Sequence, residues 1–285
     1  MNFSDDLLYW YSQNKRDLPW RNTRDPYKIW LSEIILQQTR VNQGLPYFVR
    51  FLNKFPTIYD LAEATEDKVL KTWQGLGYYS RARNLQNTAK FICDNYEGEF
   101  PQDYNDIIAL KGIGSYTAAA ISSFAFHKNY AVVDGNVIRV LSRFFGIETF
   151  YDTSEGKKEF QKLADSNLPK KKSHLYNQAI MEFGALVCTP KTPSCISCCF
   201  SESCYAFNKR IISELPKKSK KIKVKNRFLY FMILEDDQSY CFVKKESGIW
   251  SGLYEFPSVE FSREINIDQL IKNEKFISFF NARKF

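Results

Sequence analysis

The stretch LKGIGSYTAAAISSFAF, Leu110 to Phe126, decides how the chain is read. Gly112 and Gly114 permit a tight turn, and nothing after Ser115 breaks a helix, so the pattern predicts a hairpin followed by a helix over 115–127. Backbone N–H groups of such a turn can approach an anion closely, and the positive end of the helix dipole faces the same place. An ordinary joint between two helices looks the same, so the flanks must decide.

Outward from this turn, apolar residues recur at helical spacing from Asn2 to about Phe207, with no run of strand alternation. Helices are predicted over 5–14, 27–39, 43–54, 66–72, 81–96, 115–127, 135–145, 155–166 and 174–187. The segment PKKSKKIKVKNR, Pro216 to Arg227, holds seven basic residues and no acidic one. It marks a linker over 216–226. Beyond it FLYFMILE and YCFVKK predict strands, SGIWSGLYEFP a turn with an aromatic strand, and Ile267 to Phe276 a helix. The expectation is a mainly α domain over 1–215 and a small α+β domain over 227–285, which at about sixty residues is marginal for a core of its own and is expected to be truncated.

The 285 residues carry a net charge of +8, which favours a polyanionic partner. No apolar run reaches the roughly eighteen residues a membrane span needs, and Met1 to Asp6 lacks signal-peptide character, so a cytoplasmic, non-membrane protein is expected. Five of the seven cysteines crowd into 188–204, which indicates a metal and not a disulfide framework. Cys188, Cys195, Cys198 and Cys204 have the spacing C-x6-C-x2-C-x5-C, which suits a [4Fe-4S] cluster or a single zinc ion, and Cys199 can in principle replace Cys198.

Two carboxylates have settings that suit chemistry. In DPYKIWLSEIILQQT, Glu33 shares a helix face with Ile29, Trp30 and Leu36, so it should be partly buried, with a raised pKa and a proton to give. Asp134 ends an apolar run before GNVIRVLSRFFG, a helix N-cap position. Capping and chemistry need not exclude each other there, because one carboxylate oxygen can serve each.

WLSEIILQQT, LKGIGSYTAAA, AVVDGNVIRVLSR and CTPKTPSCISCCFSESC, in this order and spacing, resemble the adenine glycosylases of the helix–hairpin–helix DNA glycosylase superfamily. The resemblance implies a two-lobed helical domain whose cysteine loop holds a [4Fe-4S] cluster on Cys188, Cys195, Cys198 and Cys204 as a structural, DNA-proximal element. It implies a monomeric base-excision enzyme acting at the nucleoid on double-stranded DNA with A:8-oxoguanine or A:G mispairs. In lyase-competent members a lysine stands at the position of Tyr116, so hydrolysis by water without strand cleavage is expected. Ile138, where some members carry a second lysine, points the same way.

The same resemblance implies proton donation at adenine N7 by Glu33, and places Asp134 near the deoxyribose, where its carboxylate can stabilise the cation at C1′ or attack it; the sequence leaves both roles open. Asn136 and Tyr116 position water and sugar, Trp20 and Arg21 form part of the adenine pocket, and Gly112 and Gly114 grip a phosphate. In GLGYYSRARN, Gly75 and Gly77 let the backbone bend, Tyr78 can wedge between bases, and Arg81 and Arg83 can meet phosphates. Gln38, Thr39, Leu76 and Tyr78 are implied around the orphaned partner base. WSGLYEFP resembles the start of a Nudix-like domain that helps recognise 8-oxoguanine, although no R-E-x-x-E-E run is present and the later Ser/Thr-His loop is not found. The rival readings are an endonuclease III-like glycosylase/lyase for oxidised pyrimidines, and a non-catalytic, cluster-bearing DNA-binding module.

Overall fold

The computed structural model describes residues 2–219, 225–248, 250–274 and 276–277, and the chain divides into two compact units between Lys220 and Lys221. The middle of the expected linker (220–224), Ile249 and the terminal NARKF lie outside the described residues.

The first unit is helical throughout. Its elements are α1 (Phe3–Asn14), a 3₁₀ turn (Pro19–Arg21), α2 (Pro26–Leu36), α3 (Val41–Lys54), α4 (Ile58–Glu63), α5 (Glu66–Trp73), α6 (Ser80–Tyr96), α7 (Tyr104–Ala109), α8 (Ser115–Phe124), α9 (Gly135–Phe145), α10 (Ser154–Ser166), α11 (Ser173–Leu186) and α12 (Tyr205–Asn208). Each of the nine expected helices has a counterpart. Two end early for backbone reasons: Gln37 leaves the helical region and Gln38 adopts φ 58°, while His127 adopts φ 54°. The short α4, α7 and α12 were not expected.

Two hydrophobic cores organise this unit. The first, under α2–α8, buries Trp30, Phe48, Phe51, Phe55, Leu61 and Trp73. The second gathers Phe3 and Leu7 of α1, Val140 and Leu141 of α9, Phe160, Tyr176, Ile180, Phe183 and Phe200. Each large side chain so buried contributes about 1.5–3 kcal/mol over its exposed state. Although α1 comes first in sequence, its i, i+4 stripe of Phe3, Leu7 and Tyr11 turns it onto α11, so both ends of the unit close the second core.

The helix α7, the turn Leu110–Gly114 and α8 form a helix–hairpin–helix. Thr88 Oγ1 on α6 donates to the Lys111 carbonyl at 2.7 Å and pins the turn. Gly112 sits at φ 81°, and a Cβ there would lie 2.8 Å from the Cβ of Asn84, so the fold itself requires glycine at this place. Gly114 is extended, at φ −97°, and a Cβ on it would meet nothing within 4 Å.

The basic segment is not all linker. Tyr151 N–H donates to the Lys217 carbonyl, Lys217 pairs with Glu148 at 2.7 Å, and Ser219 donates to Asp152, so 216–219 dock on the first unit.

In the second unit β1 (Phe228–Phe231) pairs antiparallel with β6 (Ser258–Phe261), β2 (Glu235–Asp236) with β3 (Ser239–Tyr240), and β4 (Val243–Lys244) with β5 (Tyr254–Glu255). FLYFMILE and YCFVKK are thus each split between two strands, and β6 was not expected. Among the described residues the three ladders stay separate, and the expected last helix is shorter, α13 (Ile267–Ile271).

Candidate active site

Asp25 caps α2 by accepting from the Tyr27 N–H, with Pro26 in the first turn. The helix then runs through the first core and buries every residue from Ile29 to Ile35. Glu33 is therefore 6% exposed, more deeply placed than the stripe alone suggested. The hairpin delivers Tyr116 in the first turn of α8, where its hydroxyl donates to Glu33 Oε2 at 2.7 Å. Burial pushes the Glu33 carboxyl up to about 7; the hydrogen bond from Tyr116 opposes this, the Asp134 charge adds to it, and Arg21 opposes it. Tyr116 is itself held well above the usual phenol range, first by burial and then by Glu33 and Asp134.

Asp134 is the N-cap of α9. Its Oδ1 accepts from the Val137 N–H at 2.8 Å and its Oδ2 from the Asn136 side-chain amide at 2.8 Å, so both oxygens are engaged. Burial raises its pKa, opposed chiefly by these hydrogen bonds. Asn136 in turn accepts from Arg139 Nη2 at 2.8 Å, and the same guanidinium donates to the carbonyls of Gly184 and Cys188 at 2.7 Å each. Gly184 on α11 makes this possible: a Cβ there would stand 2.7 Å from that of Asn136.

Glu33, Tyr116, Asp134 and Asn136 line one solvent-connected cavity of about 360 Å³, together with Trp20, Arg21, Gln38 and Thr39. Its wall is built from α2, α8, α9 and α11, with the 3₁₀ turn Pro19–Arg21. It is large enough for a flipped nucleobase with part of its sugar. A further lining residue, Glu182, escaped the sequence reading. It is 1% exposed and accepts from Arg16 Nη2 at 2.6 Å and Arg21 Nη2 at 2.7 Å. Although burial acts to raise it, hydrogen bonds first from Arg16 and then from Arg21 hold it at about 2. Arg21 is thereby fixed at the cavity wall.

The remaining expected residues lie elsewhere. Gly75 and Gly77 take φ 99° and 71°, and Tyr78, at φ 47°, is 65% exposed, whereas Leu76 is buried in the first core. Gly112 and Gly114 lie on the hairpin, outside the cavity. Arg81 and Arg83, expected at phosphates, are committed within the protein: Arg81 donates to backbone carbonyls and Arg83 Nε to Glu66 at 2.9 Å. Cys188, Cys195, Cys198 and Cys204 line a second cavity with Val140, Arg143, Phe183 and Phe200, while Cys199 is exposed and absent from its wall. Arg143 Nη1 lies 3.5 Å from Cys188 Sγ and donates to the Thr189 carbonyl. Among the described residues no three His, Cys, Asp or Glu side chains converge as one metal ion would require.

Residues 31–166 match the family described as HhH-GPD superfamily base excision DNA repair protein. The adenine DNA glycosylase of Buchnera aphidicola subsp. Schizaphis graminum is 36% identical over 98% of this chain and 83% of its own length. The chain belongs to the adenine DNA glycosylase family. The Arabidopsis thaliana member is 40% identical over 90% of this chain but only 47% of its own length. Among solved structures, a thermostable thymine-DNA glycosylase superposes with TM-score 0.68 at 32% identity, over 73% of this chain and 95% of that one. An endonuclease III–DNA complex shares the fold, with TM-score 0.64 at 24% identity over 73% and 94%. Among the described residues no helix is long and apolar enough to cross a membrane.

Proposed function

We propose that the chain removes adenine mispaired with 8-oxoguanine or guanine from duplex DNA by hydrolysing the N-glycosidic bond. The observation that carries this reading is Glu33, buried, raised to about 7 and bonded to Tyr116, facing the same cavity as Asp134. Protonated Glu33 gives its proton to adenine N7; the C1′–N9 bond breaks with its electron pair leaving on adenine. The cation left at C1′ is met by Asp134, whose oxygens Asn136 and the α9 N-terminus hold in place. Water adds at C1′ and its proton returns to Glu33. Tyr116 offers a hydroxyl where a lyase needs an amine, and that hydroxyl is already given to Glu33.

The four cysteines suit a [4Fe-4S] cluster: they surround one cavity without converging to a single point, and Cys199 stands outside it. Bound, the cluster supplies a structural clamp on the loop 188–204, as Arg143 does from the protein side. The second unit is read as a Nudix-like domain attending the partner base, a reading supported by WSGLYEFP. Duplex DNA at the nucleoid is the partner, taken by a monomer. Single-turnover excision on duplexes with A opposite 8-oxoguanine, G, C and T tests the function: release from the first two is expected, and no release from any of them overturns it.

A further inference from the structure

Gln38 and Tyr78 are far apart in sequence, yet both are non-glycine residues at positive φ, 58° and 47°. Such conformations cost on the order of 1–3 kcal/mol each and persist where their surroundings enforce them. One side chain serves both loops. Arg81 Nη1 donates to the carbonyls of Ile34 at 2.8 Å and Gln37 at 2.7 Å, and Nη2 reaches those of Leu76 and Gly77 at 3.4 Å each. Its guanidinium also lies 5.0 Å from the Trp73 ring centroid and 5.7 Å from that of Tyr78, and Trp73 Nε1 donates to the Gly77 carbonyl at 2.9 Å.

These acceptors have distinct meanings. Ile34 and Gln37 are at the C-terminus of α2, where carbonyls lack helical partners and a cation is favoured. Glu33, immediately before Ile34, is the proton donor of the proposed function. Leu76 and Gly77 are the backbone under the exposed Tyr78. Lysine has no planar fork to span two loops in this way.

We propose that the exposed Tyr78 loop meets the base left opposite the extruded adenine, and that Arg81 is a positioning residue coupling this loop to the helix that carries Glu33. Through it the identity of the partner base reaches the excision step. The inference rests on the proposed adenine excision for its catalytic half.

The test compares the protein with Arg81→Lys and Trp73→Phe, the latter removing the Trp73 donor to Gly77 and trimming the buried ring beneath Arg81, so its melting temperature is read alongside. Single-turnover rates at saturating protein are measured for A opposite 8-oxoguanine and A opposite G, beside thermal melting and the salt dependence of duplex binding. Arg81→Lys should lower the ratio of the two rates about tenfold and Trp73→Phe by less, with the salt slope unchanged. A folded Arg81→Lys protein with an unchanged ratio overturns the proposal. So does an unchanged ratio in Arg81→Gln with a salt slope smaller by about 0.9, the mark of one lost phosphate contact.

A second probe needs no excision: a duplex with 2-aminopurine opposite a tetrahydrofuran abasic analogue. Binding of the wild-type protein should raise 2-aminopurine fluorescence by unstacking it, and Arg81→Lys should lose most of that rise; an equal rise in both overturns the coupling. Should the wild-type protein release no adenine, the function fails while this signal still decides the role of Arg81.

Discussion

At the scale of single residues, the chemistry depends on one carboxyl keeping its proton. Since burial raises Glu33 to about 7, excision should fall tenfold per pH unit above that value, and fall again at low pH where the buried Asp134, whose pKa is also raised, takes up a proton, as a pH series of single-turnover rates would reveal. Tyr116→Phe removes a hydrogen bond that favours the ionised carboxylate, so the descending limb should move to higher pH. Stability follows the same proton. The folded value lies above the unfolded one, about 4.3, so the stability tied to this proton is whole below about pH 4.3 and lost as pH rises through about 7. Glu33→Gln cannot ionise; it should abolish excision yet be more stable than the wild type by up to about 3 kcal/mol at pH 8 and no more stable at pH 4, measured by denaturant unfolding. The burial of Glu33 was legible because Ile29, Trp30 and Leu36 mark its helix face. Glu182 was not, since its partners Arg16 and Arg21 lie more than 160 residues away and leave no local pattern.

At the scale of elements, the hairpin separates two glycines that look alike in LKGIGSY. Gly112→Ala forces a side chain into φ 81° and against Asn84, and should cost about 1–3 kcal/mol of stability. Gly114→Ala meets nothing, so its melting temperature should match the wild type; any loss of duplex affinity then reports a phosphate brought close to that turn. Asp134 divides in the same manner: Asn can still cap α9 and should leave the fold intact while excision disappears, whereas Ala should also cost about 1 kcal/mol of stability. Long helices were legible from periodicity. The six-residue α4 and α7 were too short for it, although Thr57 with Asp60 and the Asp103 cap are sequence signals that could have located both. Arg81 was misread because capture of a guanidinium by backbone carbonyls depends on tertiary placement and not on neighbours in sequence.

At the scale of the whole molecule, the cluster read from the cysteine spacing has a direct test: the protein purified without oxygen should be yellow-brown and contain iron and acid-labile sulfide in equal amounts, and zinc in their place would overturn the cluster. The second unit was the least readable, since its two-residue ladders carry almost no alternation. What the folded first unit adds is a balance of charge that no segment displays. The cavity wall carries Arg16 and Arg21, Asp134 and Glu182, and the uncharged acid Glu33. With Asp134 ionised, two positive and two negative groups cancel, so a neutral nucleobase can enter without disturbing any ion pair. Once the proton has passed to adenine, the wall is left one negative charge in excess, matching the single positive charge born on the sugar. The site therefore carries no net charge to repel the phosphates of its substrate, and gains one negative charge as the cation forms.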